Sequence, residues 1–155
     1  MFTGRFSRQY CILSACIVAL GWALPSRAEE MSFKVPLSGA EEVPPVQAAA
    51  RGAAEFDYDP ANRIVKWTIT FSGLSGPATM AHLHGPAQKG EKAPVVLWLS
   101  KQGSPADSPI SGQGMLTPEQ AEHFSAGRWY VNIHTQANPG GEIRGQIPPA
   151  SERGG

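Results

Sequence analysis

Residues 63–71, reading Arg-Ile-Val-Lys-Trp-Thr-Ile-Thr-Phe, constrain the fold more than any other stretch of the chain. Val65, Trp67, Ile69 and Phe71 alternate with Lys66, Thr68 and Thr70. Successive side chains on a strand point to opposite faces, so this period of two places four apolar groups on one face and three polar ones on the other. A strand of this kind needs a sheet with one buried and one wet face.

The flanking sequence repeats the message in weaker form. Phe33–Leu37, Ala53–Tyr58, Thr79–His84, Val95–Ser100, Gln113–Leu116, Trp129–Thr135 and Glu142–Ile147 all read as short strands. Glycine and proline are spread between them, and clusters such as Asp59-Pro60-Ala61-Asn62 and Asn138-Pro139-Gly140-Gly141 are turn signals. One helix is predicted over Thr117–Ala126, where Thr117 caps, Pro118 takes the first helical position and Gln120 completes a capping box. Eight short strands with turns between them predict an all-β, antiparallel Greek-key sandwich with one short helix.

The first 28 residues do not belong to that pattern. Arg5 and Arg8 precede an apolar run from Tyr10 to Leu24, and Ser26 and Ala28 provide small residues at its end. This is the layout of a secretory signal peptide over residues 1–28. The run is shorter than the roughly 20 residues a spanning helix needs. Residues 29–147 are then the folded domain, and residues 148–155 are expected to be a disordered tail.

Cleavage would remove both cysteines, Cys11 and Cys16, so disulfides, thiolate nucleophiles and thiolate metal sites are excluded from the domain. It would also remove three of the 13 basic residues and none of the 13 acidic ones, leaving a net charge of −3. Without a basic stripe or a basic amphipathic segment, neither nucleic acid nor membrane insertion is expected. The location implied is periplasmic or secreted.

Chemistry is concentrated in the histidines. His82 and His84 stand at i and i+2, so on a strand both rings project from one face while Ala81 and Leu83 take the other. Likewise Trp129, Val131 and Ile133 oppose Tyr130, Asn132 and His134. With the apolar faces as core, His82, His84 and His134 are expected on the outward, solvated side, as a surface three-histidine metal site. Imidazole suits copper, zinc, iron and nickel. Met80 shares the face of the His-x-His pair and is a candidate additional ligand, with a thioether that favours Cu(I). His123, in the helical segment, is read as a solvated residue. Matching polar faces across the last hairpin sets His134 opposite Glu142 or, two residues on, Arg144. A carboxylate there would orient the imidazole from behind, and an arginine would attract an anion.

Four motifs in order carry a resemblance. They are Leu37-Ser38-Gly39-Ala40-Glu41-Glu42-Val43-Pro44-Pro45-Val46, Ala81-His82-Leu83-His84-Gly85-Pro86-Ala87, Tyr130-Val131-Asn132-Ile133-His134-Thr135 and Asn138-Pro139-Gly140-Gly141-Glu142-Ile143-Arg144-Gly145. Together they resemble the CHRD domain, over about Phe33 to Ile147. The resemblance implies a β-sandwich of immunoglobulin-like or superoxide-dismutase-like shape and implies little about activity. Three functions follow as expectations. The first is an exported protein that holds a transition metal, copper or alternatively zinc, for binding, storage or delivery. The second is a metal-free module that binds an envelope or extracellular protein, through a sheet face or the Glu41–Val46 loop. The third is a superoxide-dismutase-like copper redox enzyme with Arg144 steering an anion. That enzyme uses further zinc ligands which this sequence lacks. No catalytic residue is assigned.

Overall fold

The computed structural model describes Met1 and residues 29–153. The signal peptide expected over residues 1–28, with Cys11 and Cys16, falls outside the described residues apart from Met1. No helix among the described residues is long and apolar enough to cross a membrane.

The described residues form eight strands: β1 (Met31–Ser38), β2 (Arg51–Asp59), β3 (Ile64–Ser72), β4 (Ala78–His84), β5 (Val95–Trp98), β6 (Ile110–Met115), β7 (Tyr130–Thr135) and β8 (Ile143–Gln146). The single α-helix among the described residues, α1 (Pro118–Ser125), lies between β6 and β7. All strand pairs are antiparallel, in the order β5-β4-β7-β8-β1-β2-β3-β6. The sheet curls until its halves face each other, which gives the expected all-β sandwich. The Trp67 indole Nε1 donates to the Leu99 carbonyl at 3.3 Å and ties β3 to the chain just beyond β5.

Local chemistry explains the elements. In the β2–β3 turn, Asp59 Oδ1 accepts from the amides of Ala61 and Asn62 at 2.9 and 3.1 Å, which turns the chain without external partners. In α1, Thr117 Oγ1 accepts from the Gln120 amide at 3.2 Å, and the Gln120 side chain accepts from the Thr117 amide at 2.9 Å. β6 begins at Ile110, three residues earlier than its pattern suggests, because Gly112 and Gly114 bear no side chain to show alternation. The space above Gly112 is filled by the Trp67 ring.

The core is built from the alternating faces. Val35, Leu37, Ala54, Phe56, Tyr58, Val65, Ile69, Ala81, Leu83, Val131, Ile133 and Ile143 are fully buried. Phe124 of α1 fills the interior against Tyr58 and Trp129, with ring centroids 4.9 and 5.5 Å apart. Burying an aromatic or aliphatic side chain of this size contributes roughly 1.5–3 kcal/mol.

The disordered tail expected from residue 148 is corrected through residue 153. Pro148–Arg153 folds back, with a 3₁₀ turn at Ala150–Glu152. Arg153 is buried, its Nε donates to the Pro148 carbonyl at 2.8 Å, and its guanidinium donates to the Phe124 carbonyl. The same guanidinium lies over the rings of Phe33 and Phe124, at 4.4 and 4.6 Å from their centroids. Composition alone hid this, because the anchor is a charged residue whose partners are carbonyls and ring faces.

Candidate metal centre

The faces of β4 and β7 that turn away from the core form a small grid. Met80 pairs with His134, His82 with Asn132, and His84 with Tyr130. On the β8 side, Asn132 faces Arg144 and Tyr130 faces Gln146. On the β5 side, Trp98 faces His82. The three histidines come together as the sequence predicts, with one ligand nitrogen from each lying within 4.8 Å of the others.

Their exposure is corrected. His82, His84 and His134 retain only 3%, 8% and 6% of their surface, so this is a buried site and not a solvated face. Trp98 stands edge-on to His82 with centroids 4.2 Å apart, while Tyr130 stacks flat on His84 at 4.8 Å. The loop after β1 brings Glu42 down beside Asn132, and both are buried. These covers come from distant parts of the chain, so the alternation within β4 and β7 does not report them.

The hydrogen bonds fix two tautomers. His84 Nδ1 lies 2.9 Å from the Ala93 carbonyl, and His134 Nδ1 lies 2.9 Å from the Pro139 carbonyl. A carbonyl only accepts, so in each ring Nδ1 carries the proton and, in the neutral ring, Nε2 is a bare lone pair. His134 Nε2 sits 3.2 Å from His82 Nδ1, and His84 Nε2 has no partner. Metal-ligating histidines are commonly oriented by a carbonyl on the far nitrogen in this way. Two nitrogens on one tetrahedral ion lie about 3.3 Å apart at ordinary bond lengths. The donor set therefore fits an ion that draws the rings slightly together.

Electrostatics keep these rings neutral. Burial, with His134 and His84 beside it, lowers the His82 pKa to about 4. Burial likewise lowers His84, partly offset by the Ala93 carbonyl and the Asn132 side chain, and His134, partly offset by the Pro139 carbonyl. Neutral imidazole is the form that binds metal. Glu42 behaves in the opposite sense: burial raises its carboxyl to about 7, against the attraction of Arg144 and the Asn132 side chain.

The remaining candidates separate. Met80 is half-buried directly across from His134. Glu142 precedes β8, and its carboxylate does not meet the His134 ring. It accepts from the Ser75 amide and hydroxyl at 2.8 and 2.5 Å, from Thr135 at 2.6 Å and from Asn138 at 3.1 Å. Gly141, at φ 123°, redirects the chain just before it. Orientation of His134 falls instead to the Pro139 carbonyl. Arg144 is buried, with its guanidinium 3.5 Å from the centroid of the Tyr130 ring, so it is no exposed guide for an anion. Its pKa is lowered by burial, against Tyr130 and Glu42. His123 stays on α1, 3.9 Å from Glu119. Sequence reasoning placed Asn132 on the correct face without giving it a role, and missed Glu42 and Trp98. The Glu42 signal was its position in a motif whose proline-rich loop had no evident packing purpose.

The family model of the CHRD domain matches residues 33–147. Chordin of Danio rerio is 32% identical over 132 residues, covering 77% of this chain and 13% of that protein. Chordin of Xenopus laevis is 35% identical over 131 residues, covering 78% and 14%. The chain thus spans about one-seventh of the length of these relatives. No solved structure matches it.

Proposed function

The chain belongs to the CHRD domain family, and from that premise we propose that it is an exported protein that holds one transition-metal ion on His82, His84 and His134, for binding, storage or delivery. One observation carries the reading: buried imidazole nitrogens, two of them with the opposite nitrogen already engaged by a carbonyl, meet at one place on a rigid pair of strands. Copper is the first choice and zinc the alternative. An all-imidazole set suits either ion, and the Met80 thioether beside His134 favours copper in its reduced state. Export rests on the N-terminal sequence pattern. The test is metal content after dialysis of the purified protein against Cu(II) or Zn(II). One equivalent retained, and lost in His134→Ala, supports the reading; no retention removes it.

A metal-free interaction module is the second reading. Its support is the outer strand β5, where Val95 and Trp98 remain 40% and 38% exposed. A protein partner that binds equally well after all three histidines are replaced would favour it.

A further inference from the structure

Six buried side-chain nitrogen and oxygen atoms among the described residues have no hydrogen-bond partner, and four of them belong to one neighbourhood: His82 Nε2, His84 Nε2, Asn132 Oδ1 and Glu42 Oε1. An ion held on the histidines would account for His84 Nε2, and His82 Nε2 is the nitrogen that would carry the ring proton when Nδ1 is the ligand. The two oxygens are not accounted for: the Asn132 side chain lies close enough to Glu42 and His84 to shift their pKa values, yet neither oxygen has a donor in hydrogen-bond geometry. Asn132 and Glu42 retain 2% and 5% of their surface, so bulk water does not satisfy them. Buried acceptors without donors are rare because each keeps its desolvation cost without recompense.

Neither oxygen suits direct ligation. The cluster of ligand atoms within 4.8 Å contains the histidines and not the Glu42 carboxylate. An amide oxygen is a hard donor, poorly matched to copper. Yet Asn132 adjoins the ligands, and Glu42 adjoins Asn132. Asn132 stands across from His82 and two residues from His134 on the same face of β7. A Cβ built on Gly141 would touch both Glu42 Oε1 and Asn132 Nδ2, so the carboxylate and the amide share one spot, with the amide nitrogen turned toward the acid. Glu42 also helps line a hollow of about 300 Å³ together with Ala40, Glu41, Val43, Pro45 and Lys89.

We infer that the bound ion keeps one exchangeable position, occupied by a water molecule that donates to Asn132 Oδ1 and Glu42 Oε1. The inference rests on the metal reading above and deepens it. Water supplies the two donors that the orphan oxygens need, and three protein ligands plus water is the arrangement of a reactive site and not of a closed structural one. A metal ion would make that water more acidic, and the Glu42 carboxylate beside Asn132 would accept its hydrogen bond. Small anions that replace water on copper are the ligand class this position takes.

The test uses the full chain loaded with one equivalent of Cu(II) and titrated with azide, followed by the azide-to-copper charge-transfer absorption. A second readout is line broadening of the copper resonance in ¹⁷O-enriched water. The expected result is a saturable one-to-one azide complex and measurable broadening. In copper-loaded Glu42→Gln at about pH 8, azide binds roughly tenfold more tightly, because a buried negative charge beside the incoming anion is gone. Copper retained with a spectrum indifferent to both azide and ¹⁷O overturns this inference and leaves the metal reading intact. Failure to retain copper overturns both. An azide complex whose affinity is the same in Glu42→Gln and Asn132→Ala overturns the assignment of these two residues.

Discussion

His82 Nδ1 lies 3.2 Å from His134 Nε2 across the β4–β7 pair. Because the Pro139 carbonyl holds the His134 proton on Nδ1, the contact is a donor from His82 meeting a lone pair from His134 when no metal is present. An ion held by His82 and His134 would take the place of that proton, with His82 kept neutral by carrying its proton on Nε2. Metal binding would therefore compete with the hydrogen bond for the same lone pair.

Binding should stabilise the fold. A metal that binds only the native state at a free concentration 100 times its Kd adds about 2.7 kcal/mol. For a domain of this size that raises Tm by roughly 10 °C. Differential scanning calorimetry with Cu(II), and again after chelation, checks it; an unchanged Tm contradicts the site.

The apo protein should lose stability in acid over a defined window. The folded pKa of His82 is about 4 against an ordinary value of 6.5, so between these values the unfolded chain binds more protons and stability rises with pH. His84 and His134 act in the same direction. Glu42, raised from 4.5 to about 7, opposes them: its contribution is full below 4.5 and is lost as pH rises through 7. Urea midpoints of the apo protein should therefore fall from pH 6.5 toward 4, and fall more steeply in Glu42→Gln.

Glu142→Ala should cost about 3 kcal/mol, since it strips one buried acceptor from donors on Ser75, Thr135 and Asn138. Burial raises the Glu142 pKa, but those hydrogen bonds outweigh it and hold the group below its usual range. Its stabilisation is accordingly present above 4.5 and lost as pH falls through the lowered value. Copper affinity of the Glu142→Gln protein should stay within a few-fold of the parent, because this carboxylate does not touch His134. A drop of the 10–100-fold size seen when a ligand-orienting partner is lost would reverse that conclusion.

Arg153→Ala should destabilise by about 2 kcal/mol, through loss of the bonds to the Pro148 and Phe124 carbonyls and of stacking on Phe33. Equilibrium urea unfolding measures it. A change under 0.5 kcal/mol would mean that the C-terminal turn contributes nothing to the core.

Gly141→Ala should disturb the candidate site from outside it. The φ of 123° is strained for alanine, and the added methyl meets Glu42 and Asn132. A loss of about 2 kcal/mol is expected, together with an altered azide affinity of the copper-loaded protein. Stability equal to the parent would show that the loop moves aside freely.

Much of this was legible along the chain. Period-two alternation fixed which side of each strand meets the core, so Ala81, Leu83, Val131 and Ile133 lie inside and His82, His84 and His134 share the other face. Alternation is a property of consecutive residues and needs no knowledge of partners. The capping box of α1 was legible for the same reason, since Thr117 and Gln120 interact within one turn.

What the tertiary structure decided is everything set by residues far apart in sequence. Trp98 packs edge-on against His82 and Tyr130 stacks on His84, and the expected surface patch is a buried centre with lowered pKa values. Gly141 turns Glu142 away from His134, and Arg153 finds its partners on α1 and β1. A strand pattern specifies a direction for each side chain. Burial, hydrogen-bond partners and pKa depend on what packs against that face from elsewhere in the fold.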